Sequence, residues 1–178
     1  MAQINVFVLS CATEADQIRW HLMEACLARW RKENVRLRLV HNETTFASDG
    51  LLPCDRRIFF GRGLFYADRE AEGDYIVIGD DCMPLGMEFA ARGLDILSDN
   101  PEYEIIGSRF MANKQDEEMI DTLDPGPMAI RKGIIGPIIK SHLNETFNDR
   151  EMVYWLNAAG HRVGLARDWR HNHLGFKL

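Results

Sequence analysis

The stretch Ile4-Asn5-Val6-Phe7-Val8-Leu9-Ser10 is mostly apolar, rich in β-branched residues and too short for a helix, and so predicts a buried strand. Thr13 and Asp16 resemble a capping box, and Ile18, Leu22, Cys26 and Trp30 then recur at helical spacing. Val35, Leu37 and Leu39 alternate with Arg36 and Arg38, the two-residue period of a strand with one exposed face. His41 to Pro53 is polar and predicts a loop, and Arg62 to Glu72 a short helix closed by Gly73-Asp74. A second apolar strand follows at Tyr75–Gly79. Pro84, whose fixed φ suits a first helical turn, predicts a helix with Leu85, Phe89 and Leu97 on its apolar side.

Tyr103 to Ser108 and Met128 to Ile130 predict strands, separated by an acidic loop from Asn113 to Gly126. Glu151 to Ala159 predicts a helix with Met152, Val153 and Leu156 inward and Gly160 as C-cap. Arg162 to Ala166 predicts a last strand, before a tail rich in Trp and His. Strand–helix alternation in the first half predicts an α/β fold: one domain over 1–178, a mainly parallel central sheet flanked by helices. In such sheets ligands sit beyond the carboxyl ends of the strands.

The acids Asp80 and Asp81 fall at such an end. Hard divalent cations want several oxygens, and a strand terminus fixes carboxylates at little entropic cost; the bland alternative is a solvated turn. Asn148-Asp149-Arg150-Glu151-Met152 opens the later helix, where an acid is either a catalytic base or a residue favoured by the helix dipole. His171 and His173 are two apart, which on a strand puts both on one face, so one of them is a candidate metal ligand. Arg56, Arg57, Arg62 and Arg69 are either a solvated helix face or a pyrophosphate contact. Trp20, Trp30 and Cys82 read as core.

Composition narrows the class. The chain has 178 residues, 46% hydrophobic and 27% charged, as expected of a globular protein with a sizeable core. A net charge of −6 argues against a general nucleic-acid binder, while leaving open a nucleic-acid acceptor held by a local patch. Cys11, Cys26, Cys54 and Cys82 are too far apart for a C-x-x-C site or a disulfide framework. With no basic-then-apolar leader and no apolar run long enough to span a membrane, the expectation is a cytoplasmic protein.

Taken in order, these pieces resemble the family 2 glycosyltransferases and their GT-A (nucleotide-diphospho-sugar transferase) fold relatives, along nearly the whole chain from Val6 to Gly175. Asn42 matches the place where that family has an acidic or amide residue near the nucleotide base. Gly63 to Asp74 is similar to the segment before the metal motif, with Asp68-Arg69 where Arg-Asn is usual, and Arg69 is accordingly assigned to the nucleotide. Gly126 to Lys132 is similar to the strand bordering the acceptor pocket. Asn148 to Met152 resembles the Glu-Asp motif, and His173 falls near the carboxy-terminal metal-ligand histidine. The usual Asp-x-Asp departs here to Gly79-Asp80-Asp81-Cys82. Either Asp80 is the first acid, or Asp81 is the second; Cys82-Met83-Pro84 favours the latter.

The resemblance implies a metal-dependent, inverting glycosyltransferase that moves a sugar from a nucleoside-diphosphate donor, of UDP type, to an unidentified acceptor hydroxyl. Asp81 and His173 would hold Mn²⁺ or Mg²⁺, Asp80 would contact the ribose or support from behind, and Asp149 would be the base. Three alternatives stand beside it, among them a purely structural α/β protein, which would require the acids and histidines to lie apart in space. A second is a non-catalytic nucleotide-sugar-binding module. The third is a sugar-nucleotidyltransferase, against which Ser10-Cys11-Ala12-Thr13 lacks the Gly-rich, basic loop.

Overall fold

A computed structural model describes residues 3–45, 53–54, 56–110, 126–145 and 149–174, which form a seven-stranded sheet between two helical layers. At its centre are β1 (Ile4–Ser10) and β3 (Tyr75–Gly79), parallel to each other, with β2 (Val35–His41) parallel to β1 on the outside. Both central strands are buried on both faces, hence their near-continuous apolar runs. Phe7, Leu9, Tyr75 and Val77 face one core cluster, and Val6, Val8, Ile76 and Ile78 face the other.

Beyond β3 the sheet becomes mixed. The order is β2-β1-β3-β6-β5-β7-β4, with β5 (Ile105–Phe110), β6 (Met128–Ile130), β7 (Val163–His173) and β4 (Cys82–Pro84). β6 runs against both β3 and β5, β7 runs with β5, and β4 runs against the last three residues of β7. Three pairings are parallel and three antiparallel, which corrects the expectation of a mainly parallel sheet. A parallel neighbour needs a crossover of a dozen or so residues. β4 begins after only Asp80 and Asp81, so the chain turns straight back. β4 covers β7 only from His171 onward, which leaves the outer edge of residues 163–167 without a strand partner among the described residues.

Helices α1 (Gln17–Trp30) and α3 (Phe89–Asp99) cover one face; α2 (Arg56–Glu70), α4 (Ile135–Ile139) and α5 (Asp149–Ala158) cover the other. The cap of α1 is Asp16, whose side chain accepts from the Arg19 N–H at 3.2 Å; Thr13 contributes only its carbonyl, to the Asp16 N–H. The buried stripe of α1 is Met23, Cys26 and Trp30, whereas Ile18 is 58% exposed. α2 starts before the expected Arg62, burying Phe59 as well as Leu64 and Ala67.

Pro84 does not open a helix. It ends β4, and the chain then passes Gly86 (φ +86°) and Glu88 (φ +55°) before α3 begins at Phe89. The first amides of α3 are capped from elsewhere: the Glu33 carboxylate accepts from the Phe89 and Ala90 N–H groups, each at 3.2 Å. α5 follows expectation, with Met152, Val153 and Leu156 buried and Gly160 at φ +84°, where the His161 N–H returns to the Leu156 carbonyl at 2.9 Å. β7 runs well past Ala166, because Trp169 and His171 are buried in the sheet rather than free in a tail.

Asp68 joins the second helical layer to the sheet. Its buried carboxylate accepts from the Tyr75 hydroxyl at 3.1 Å and from the Gly133 and Gly136 amides at 2.8 and 2.9 Å. Burial, and then the Asp68 charge, hold the Tyr75 phenol well above its ordinary pKa. Asp68→Ala orphans one buried hydroxyl and two part-buried amides, so we expect a loss of ~2 kcal/mol in urea unfolding. A loss below about 1 kcal/mol would show that these bonds are replaced by water.

Candidate functional site

β1, β2 and β3 are parallel and end at one edge, where Ser10 lies beside His41 and Leu9 beside Gly79. The Asp80 N–H continues this ladder to the Leu9 carbonyl at 3.1 Å, placing the buried Asp80 side chain just beyond β1. Its Oδ2 accepts from Ser10 Oγ at 2.6 Å and from Arg19 Nε at 3.3 Å, and its Oδ1 from Arg19 Nη2 at 3.1 Å. Ser10 Oγ also accepts the Ala12 N–H at 3.0 Å, so the hydroxyl is held at both ends. Burial alone would lower the Arg19 pKa. The hydrogen bonds to Asp80 and the charges of Asp80, Asp81 and Cys11 outweigh it, and the net shift is upward.

Arg19 is the residue that the sequence reading missed. It heads the true buried stripe of α1, Arg19-Met23-Cys26-Trp30, and an arginine leading an apolar stripe is the available signal. Reading the stripe from Ile18 hid it.

Asp81 is 7% exposed; its Oδ1 lies 3.6 Å from the Cys82 thiol, and its carbonyl accepts the Leu174 N–H at 2.7 Å. On the next rung Cys82 pairs with His173. The two expected metal ligands, far apart in sequence, thus occupy neighbouring backbone positions, although the His173 side chain lies outside the described part. His171 is a core residue, fully buried, with Nδ1 2.7 Å from Ser108 Oγ. A Cβ on Gly126 would run into its ring. Among the described residues, no three of His, Cys, Asp or Glu are grouped to hold a metal ion.

Asn42, just after β2, lies at the same edge with its amide engaged: Nδ2 donates to the Cys54 carbonyl at 2.8 Å, and Oδ1 accepts the Cys54 N–H at 3.2 Å. Asp149 opens α5, which packs, through Met152, Val153 and Leu156, on the face of the sheet shared with α2 and α4. Its side chain, like the whole of Asn148, lies outside the described residues.

Arg69 is not brought to the acids. It ends α2, over the Tyr66 ring at 5.0 Å and 3.0 Å from Glu70, beside the start of β3. The length of that strand, about 17 Å from its start to Asp80, separates them. Arg62 is tied to the Leu143 carbonyl and the Asn144 side chain. A cavity of about 310 Å³ lies elsewhere, between α3 and the first half of β7, lined by Arg92, Ile96, Tyr103 and Arg167 among others.

Two solved structures share this fold. One is the mannosyltransferase PcManGT from Pyrobaculum calidifontis in complex with GDP-Man and Mn2+, at TM-score 0.68 and 12% identity over 98% of this chain. The other is the 4-diphosphocytidyl-2C-methyl-D-erythritol synthase from Anaerococcus prevotii DSM 20548, at TM-score 0.52 and 11% identity over 99% of this chain. This chain spans 57% of the length of the mannosyltransferase and 90% of the synthase. At these identities the likeness is one of fold alone: α/β, with a mixed sheet flanked by helices. No protein-family model matches the chain, and no curated protein matches it in sequence. No described helix is long and apolar enough to cross a membrane.

Cys26 sits under the acids, its thiol 3.3 Å from the Cys82 carbonyl. Burial, followed by the charges of Asp80 and Asp81, pushes its pKa up to about 12. Only about one thiol in ten thousand is then ionised at pH 8. Native alkylation with iodoacetamide, read by mass spectrometry, should leave Cys26 unmodified and label it only after denaturation. Labelling at the rate of a free thiol in the folded protein would contradict this burial.

Proposed function

We propose that this chain binds a nucleoside-diphosphate sugar at the carboxyl edge of its sheet and transfers the sugar to an acceptor hydroxyl with inversion. The observation that carries the reading is the meeting of Ser10, Arg19, Asp80, Asp81 and the end of β7 at that edge. The fold supports it, being shared with an enzyme solved with GDP-Man and Mn2+. The donor base is uridine or guanosine: the first is the expectation from sequence, and the second is what that neighbour holds.

In this reading Asp81 and His173 would hold a divalent ion, Mn²⁺ or Mg²⁺. One carboxylate and one imidazole fit as the protein's share of a coordination sphere completed by phosphate oxygens and water. The ion would supply charge neutralisation on the departing diphosphate. Asp80, with both oxygens taken up by Ser10 and Arg19, contributes from behind by fixing the guanidinium. Asn42 borders the base, holding the chain at Cys54 in place. Asp149 takes the proton from the acceptor hydroxyl as its oxygen attacks the anomeric carbon and the bond to the diphosphate breaks.

A second reading, nucleotidyl transfer to a sugar phosphate, is favoured by the near-complete match to the synthase, 90% of its length. The products separate the two: glycosyl transfer releases a nucleoside diphosphate, nucleotidyl transfer releases pyrophosphate from a nucleoside triphosphate.

Thermal unfolding with UDP, GDP, CDP and their sugars, with and without Mn²⁺, tests the binding step. Ligand at a hundred times its Kd should add ~2.7 kcal/mol of stability. No shift with any of them would sink the reading. Asp149→Asn should leave donor affinity intact and lower kcat ~10²-fold or more, since a base acts in the transition state. Were Asp149 only a helix-terminal acid, turnover would be normal and stability would fall by about 0.3–1 kcal/mol.

A further inference from the structure

The guanidinium of Arg19 is anchored along one side only. Its Nε and Nη2 meet Asp80, while Nη1 makes no hydrogen bond or ion pair among the described residues and is not sealed from solvent. The side chain is 22% exposed although its partner is 2% exposed, so the fork spans from a buried carboxylate to the open edge of the sheet. Ser10 fixes Asp80 and Asp80 fixes Arg19, leaving the outer N–H groups preorganised. A planar guanidinium with donors to spare matches phosphate oxygens.

We propose that Arg19 is a diphosphate-binding residue of this site, presented by Asp80 and Ser10. The proposal rests on the nucleotide-sugar reading above and adds a second, non-metal positive charge to it. Asp80 is thereby the positioning residue and Arg19 the contact. The buried carboxylate neutralises Arg19 while the site is empty, and a bound diphosphate shares the same cation through the free side of the fork.

The test is calorimetric titration of GDP and UDP, and of guanosine and uridine as phosphate-free controls, in the presence of Mn²⁺. Asp80→Asn takes away the carboxylate that positions Arg19 while leaving the cation, and should weaken diphosphate binding by roughly threefold or more with nucleoside binding unchanged. Arg19→Gln/Asp80→Asn removes the cation without stranding a buried carboxylate, and should lose ~10-fold or more in diphosphate affinity, the usual worth of a charge-assisted hydrogen bond. Nucleoside binding should stay within about twofold, because those ligands carry no phosphate. If the double variant does not fold, Arg19→Lys replaces it, with an expected loss of roughly threefold or more for diphosphates alone. Undiminished diphosphate affinity in the substituted protein, or equal loss for nucleosides and diphosphates, overturns the role of Arg19 and leaves the function standing. A folded wild-type chain that binds no nucleoside diphosphate overturns both.

Discussion

The carboxylate of Asp80, almost fully removed from water, is the constraint around which this protein is arranged. An unpaired charge there would be prohibitive, and taking one partner from a buried pair typically costs about 3–5 kcal/mol. Arg19 on α1, Ser10 at the end of β1 and the turn after β3 must therefore arrive together. The hydrogen bonds that satisfy the charge also tie the first turn of α1 to the ends of β1 and β3. The local polarity of the edge follows from the same knot, since Asp80 and Asp81 shape the field felt by Cys26 as well.

Charged residues serve as joints throughout the molecule. Glu33, from the α1–β2 turn, receives the first amides of α3 and pairs with Arg29 at 3.1 Å. Arg131 reaches the Leu97 carbonyl at the other end of α3 at 2.8 Å and the Tyr103 carbonyl at 3.0 Å. Asp68 holds the turn that carries α4. Each brings together residues distant in the chain, and each occupies a polar group that a motif search would score as available. That is why acids and arginines here divide so unevenly between structure and the candidate site.

Legibility followed the kind of signal. β1, β3 and α5 were readable because apolar runs and helical stripes are local, and their burial bears the pattern out. The sheet's mixed character was not, because strand direction depends on how β4 and β6 find neighbours rather than on their own sequences. Pro84 misled because the same fixed φ suits a strand end as well as a first helical turn. At the candidate site, Asp80 and Asp81 were singled out from a strand terminus, and the structure sets Asp81 beside the end of β7. Arg19 was hidden by a stripe displaced one residue, and Arg69 stood out for its charge though its helix ends at the far edge.

The half-covered outer strand carries one more implication. Along its first residues β7 offers backbone donors and acceptors to whatever lies beside it, and an open edge of that kind invites strands from other molecules. Arg162, Arg167, Asp168 and Arg170 are all exposed along this stretch. Side chains of that charge and bulk must be desolvated before another strand can register there. The charged residues that disguised β7 as a tail thus raise the cost of pairing along the part of this edge that has no strand partner among the described residues.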